Sequence, residues 1–169
     1  MRRTLYFVII FFFPVVAYSQ FCGMEMDSSF INGRRSFIPI EVTSFVNNDL
    51  SNPDQGLCEV RLHFRHINVK TLEVWVVSPN NDSIQLIGPL INNPGISFNT
   101  PVFNIAFTRC DGTADPDNFQ TPQWSNNNNF DIFNSYEGTY FPSSGCLEDF
   151  NSGPVNGQWI IVYESNYAS

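Results

Sequence analysis

Leu72-Glu-Val-Trp-Val-Val-Ser-Pro79, continuing as Asn80-Asn81-Asp82-Ser83-Ile84-Gln85-Leu86, decides the fold class. Leu72, Val74 and Val76 alternate with Glu73, Trp75 and Val77. The chain then meets four turn-forming residues and resumes as Ile84-Gln85-Leu86, the pattern of a β-hairpin. A matching segment lies near the end of the chain, where Asn156-Gly157 leads into Trp159, Ile160, Ile161, Val162 and Tyr163. Asn-Gly tolerates positive φ and launches strands from tight turns, so this run reads as a buried strand.

Between and around these segments the chain repeats one theme, short apolar stretches punctuated by Asn, Asp, Ser, Gly and Pro. No long segment has the apolar period of a helix, so the sequence predicts an all-β domain. Phe37, Ile38, Ile40, Val42 and Phe45 suggest an early strand, which Pro39 confines to a sheet edge or a bulge because proline has no N–H for the ladder. Val60, Leu62 and Phe64 alternate with Arg61, His63 and Arg65, a strand with one buried and one wet face, and its expected partner is the Leu72 strand. Ile96, Phe98, Val102, Phe103, Ile105 and Phe107 supply further short β segments. The polar stretch from Cys110 to Asn129 reads as a long loop that Trp124, Phe130 and Phe133 anchor to the core.

The first residues set the compartment. Arg2 and Arg3 precede an apolar run from Leu5 to Ala17 that ends in Ala17-Tyr18-Ser19, the layout of a secretory signal peptide over residues 1–19, cut before Gln20. Pro14 interrupts the run, and it is shorter than the roughly 20 apolar residues of a helical span, so no membrane span is expected after cleavage. The chain has eight basic residues, two of them in the leader, against sixteen acidic ones, so the exported part carries a formal charge of −10. That sign makes nucleic acid a poor partner and disfavours anionic membranes. Residues 20–169 make one ordinary domain.

All four cysteines, Cys22, Cys58, Cys110 and Cys146, lie in the exported part, and an even number in an oxidising compartment suggests pairing. Three connectivities are open. Cys110 with Cys146 and Cys22 with Cys58 is the preferred one, since each bond would pin an irregular stretch to a neighbouring strand. No two cysteines have the short spacing that structural zinc favours. Asp111, Asp115 and Asp117 crowd oxygen ligands onto one loop beside Cys110, an arrangement that suits calcium, with Glu137 or Asp131 to complete the shell. The stretch lacks the ligand order of an EF-hand, and solvated turn carboxylates are the plainer reading.

The order of motifs resembles the P domain that follows the catalytic domain of kexin-like and furin-like proprotein convertases and occurs in bacterial secreted proteins. The resemblance is carried by His66, by Leu72 to Pro79, by Ile84 to Leu86, by Gly138-Thr139-Tyr140-Phe141-Pro142 and by Asn156-Gly157-Gln158-Trp159. It implies a jelly-roll-like β-sandwich of the galactose-binding-domain-like kind. Lys70-Thr71 stands where the family often has Gly-Asp. The family's closing Gly-x-Leu-x-x-Trp strand is missing before Ser169, so a C-terminally truncated record is suspected and an uncovered edge is expected beside the Trp159 strand.

Catalysis has few candidates. His63 and His66 are the two histidines, and at positions i and i+3 of a strand end they should face opposite ways. No Gly-x-Ser-x-Gly elbow is present, and a triad of His66 with Asp82 or Ser83 is less expected than a turn-stabilising imidazole. P domains accompany serine endopeptidases without supplying their catalytic residues. The expectation is therefore a non-catalytic secreted or cell-surface module that supports or docks a protein partner or an adjoining domain of the same polypeptide. One alternative is the accessory domain of a subtilisin-like peptidase. Another is a glycan-binding adhesive module using Trp75 and Trp124 as a stacking platform, although aromatic residues in a sandwich usually belong to its core.

Overall fold

The computed structural model describes residues 35–53, 55–91, 100–110, 122–128 and 134–165. Among these residues, seven strands make two sheets. The first holds, in spatial order, β1 (Arg35–Val42), β7 (Gly157–Ser165), β3 (Leu72–Val77) and β4 (Ser83–Ile87), all antiparallel. The second holds β2 (Glu59–Arg65), β5 (Val102–Thr108) and β6 (Ser135–Tyr140); β2 runs antiparallel to β5, and β6 runs parallel to it. The chain is an all-β sandwich, as its punctuated apolar pattern predicts.

The core lies between the sheets. Leu72, Val74 and Val76 of β3, Ile84 and Leu86 of β4, and Trp159, Ile161 and Tyr163 of β7 meet Phe103, Ile105 and Phe107 of β5 in one apolar cluster. Period-two alternation produces this directly, because every second side chain of a strand points to the same face. The inner face of the smaller sheet carries a ladder of rings, with Phe64 stacked on Phe103 at 4.9 Å and Phe103 on Tyr136 at 5.4 Å. Trp124 fills the remaining space against Phe103, Phe107 and Tyr140. Its indole N–H donates to Asn126 Oδ1 at 2.7 Å, and Asn126 Nδ2 donates to the Leu72 carbonyl at 2.9 Å. Buried polar groups need such partners, and here they tie the Trp124 loop to the start of β3.

The hairpin forms where its alternation predicts. Ser78 N–H donates to the Asp82 carbonyl and Asn81 N–H to the Ser78 carbonyl, both at 2.9 Å, and Asn81 takes the left-handed conformation that asparagine tolerates. The late motif packs on this turn. A Cβ on Gly157, whose φ is +131°, would lie 3.0 Å from Pro79 Cβ, so only glycine lets β7 start there. Asn156 then clamps the loop after β1, accepting from Phe45 N–H at 3.0 Å and donating to the Phe45 carbonyl at 2.8 Å.

Two expectations are corrected. β2 pairs with β5 and not with the Leu72 strand, because a 3-10 turn at Val69–Thr71, capped by Asn68, carries the chain from one sheet to the other between β2 and β3. The Trp159 strand is not an edge strand: β1 pairs with it from Gly157 to Glu164, and β3 pairs with its other side from Ile160 to Ser165. Pro39 sits on that outermost strand β1, as its missing N–H requires.

Candidate functional site

The predicted site residues separate into different parts of the molecule. Asp111, Asp115, Asp117, Asp131 and Cys22 lie outside the described residues, as do residues 1–19 of the expected leader. Glu137 is exposed on the outward side of β6. Cys110 and Cys146 form a disulfide across 36 residues. Cys58 is exposed and carries no disulfide bond in the structure. Among the described residues, Cys110, Cys146 and Glu148 form a group of potential metal ligands. Both sulfurs are used by the disulfide, however, and Glu148 accepts the Cys110 N–H at 3.1 Å, so this group is a capped cross-link. No helix among the described residues is long and apolar enough to cross a membrane.

The disulfide joins the end of β5 to the segment that covers β4. Ser143 and Ser144 N–H donate to the Leu86 and Gln85 carbonyls, both at 3.1 Å, and fill that edge. At the opposite end of the smaller sheet, His66 follows β2 and reaches Ser165, the last residue of β7, with Nε2 3.1 Å from Ser165 Oγ. The sandwich is thus stapled at both ends, once covalently and once by an imidazole.

The geometry fixes the role of that imidazole. Nδ1 accepts the Asn68 N–H at 3.2 Å, so the ring is neutral, its proton is on Nε2, and Nε2–H donates to Ser165. Burial drives its pKa down to about 4. A serine nucleophile needs a base with a free lone pair toward it and an orienting carboxylate; His66 offers neither, and Ser165 is 0% exposed. Asp82 and Ser83 belong to the hairpin, where Asp82 accepts from Asn80 Nδ2 and donates its N–H to Ser78 Oγ. His63 points outward from β2, on the face opposite to His66, as their spacing predicts.

The outer faces of the two sheets differ sharply. Outward on the smaller sheet, register aligns His63, Asn104 and Glu137 in one row and Arg61, Ala106 and Thr139 in the next. Arg61 pairs with Glu59 at 3.2 Å. The small side chain of Ala106 leaves a shallow depression of about 180 Å³ among Arg61, Asn104, Glu137 and Thr139. Small-molecule sites are usually about 300–1,000 Å³ and more enclosed.

Outward on the larger sheet, two successive rows are apolar. Phe37, Val162 and Trp75 form one across β1, β7 and β3, and Pro39, Ile160 and Val77 form the next. Phe37 is 61% exposed, whereas Val162, between Phe37 and Trp75, is buried without belonging to the core cluster. Arg35 closes one end of the stripe, bonded to Glu164 at 2.9 Å and lying 5.5 Å over the Trp75 ring. Trp75 and Trp124 form no common platform: Trp75 is on this outer face, and Trp124 is 2% exposed inside the sandwich. The signal for the stripe is present in the sequence, since β3 and β7 read as near-continuous apolar runs, the composition of strands covered on both faces.

Comparison of the chain with known protein families, with curated proteins and with solved structures finds no match.

Proposed function

We propose that this chain is a non-catalytic, exported β-sandwich module that docks on, and supports, a protein partner or an adjoining domain of the same polypeptide, in the manner of a convertase P domain. The apolar stripe across the outer face of β1, β7 and β3 carries this reading. A sandwich that meets only water presents polar residues outward, as the smaller sheet does. A contiguous apolar patch with a charged rim is the mark of a protein contact.

Two further observations support the P-domain assignment. The motifs behind the resemblance come together in space, with the Leu72 and Trp159 strands paired and Pro79 packed against Gly157. The first and last described strands are neighbours in one sheet, an order that suits the finer jelly-roll topology. Export is supported by the leader-like first nineteen residues and by a disulfide that belongs in an oxidising compartment. A glycan-binding role has weaker support, because no aromatic side chain lines the polar depression.

Tagging the chain in its native producer, recovering it and mapping its chemical crosslinks by mass spectrometry tests the reading. Recovery from the exported fraction with crosslinks to one protein or adjoining domain is the expected result. Recovery as an isolated monomer, or selective retention on a glycan array, would replace it.

A further inference from the structure

We infer that the occupant of the apolar stripe is a surface with an apolar centre and a basic rim, and that it is not a second copy of this chain. This rests on the docking reading and adds the chemistry of the partner. The stripe is two rows deep, and its ends carry acid. Glu164 and Glu73 stand one row beyond Phe37, Val162 and Trp75. Glu41 stands one row beyond Pro39 and Ile160, beside Gln158. Against these three carboxylates the described residues of the face set one cation, Arg35, which is already engaged by Glu164 and Trp75, while Glu73 accepts from Gln85 Nε2 at 2.9 Å.

Same-face residues repeat about every 6.8 Å along a strand, so the acidic rows lie about 20 Å apart with two apolar rows between them. A facing strand complements this spacing when its side chains on one face read basic, apolar, apolar, basic at alternate positions. Sheets pack face to face about 10 Å apart, close enough for those apolar rows to interlock while the basic residues reach the acidic rows. A second copy is a poor occupant. An isologous contact would bring together two faces that each carry three carboxylates and one cation among their described residues, in chains that are already acidic overall.

The test uses the chain as recovered from its producer and two disulfide-closed β-hairpin peptides. One carries Lys-x-Phe-x-Val-x-Lys on one face, and the other has Glu in place of both Lys. Two-dimensional NMR follows the backbone amides. The expected result is that the basic hairpin shifts amides of β1, β3 and β7, that the acidic hairpin binds at least about tenfold more weakly, and that Phe37→Ser weakens the basic hairpin about tenfold. Glu41→Lys, an exposed change that leaves the apolar rows intact, should lower its affinity about threefold and flatten its salt dependence. Equal binding of the two hairpins, shifts confined to β2, β5 and β6, no shift with either hairpin, or a concentration-dependent dimer that protects Phe37 would each overturn the inference. Crosslinks from the producer that map to the smaller sheet would do the same while leaving the docking reading intact. Absence of any partner there would instead remove the docking reading itself.

Discussion

β2 and β7 both send alternate side chains into the same core, yet they present opposite outer surfaces. Outward on β2 stand Glu59, Arg61, His63 and Arg65, whereas outward on β7 stand Gln158, Ile160, Val162 and Glu164. The inner faces are alike because they meet the same apolar neighbours. The outer faces differ because nothing in the fold obliges them to agree, so their composition reflects what each one meets. In the docking proposal, that is water for the smaller sheet and a partner for the larger one.

The largest effect should come from confusing inside with outside on β7. Trp159→Ala removes a side chain that packs edge-on to Phe150 at 5.2 Å and donates to the Val155 carbonyl, and should cost about 3–5 kcal/mol in chemical denaturation. Ile160→Ser, one residue along and pointing outward, should cost about 1 kcal/mol or less. Equal losses would make the outer stripe part of the isolated chain's own core and break the comparison.

The staples come next, because they hold the two differently surfaced sheets together. Replacing Cys110 and Cys146 by serine should lower stability by about 3–4 kcal/mol, the chain-entropy value for a loop of this length, measured by denaturant midpoint. The His66 staple should act through pH. Its folded pKa, about 4, lies below the value near 6.5 of the unfolded chain, so its contribution is complete above pH 6.5 and is lost as pH falls toward 4. The loss attributable to this group should reach about 3 kcal/mol. Denaturation of His66→Gln beside the unmodified chain at pH 7 and pH 4.5 checks it: the variant should begin less stable and lose less on acidification.

The smallest effects fall on the outer faces themselves. Phe37→Ser and Arg61→Ala should each change the stability of the isolated chain by no more than about 0.5 kcal/mol, by thermal or chemical unfolding. A larger loss from Phe37→Ser would mean that the stripe serves this chain's folding.

Much of the fold was legible because alternation and turn residues are local. Leu72 to Leu86 folds as the hairpin it spells, and Pro39 marks an edge strand. Pairing was less legible, since alternation says which face of β2 is buried but not which strand lies beside it; a 3-10 turn at Val69–Thr71 moved its partner to the other sheet. β6 carried little strand signal, because Glu137 and Gly138 interrupt the strand formers Tyr136, Thr139 and Tyr140, and it is held by the parallel neighbour β5. The His66–Ser165 staple spans 99 residues and has no local signature. The apolar stripe was written in the unbroken runs of β3 and β7, but only the register of β1, β7 and β3 places Phe37 beside Val162 and Trp75.

Docking through the apolar stripe is tested by covalent footprinting of surface aromatic side chains, comparing the chain within its producer's exported fraction with the same chain purified alone. The docking proposal requires Phe37 and Trp75 to be modified readily in the isolated chain and protected in the native fraction, with His63 on the smaller sheet modified equally in both. Equal modification of Phe37 in the two samples, or protection confined to His63, would contradict it.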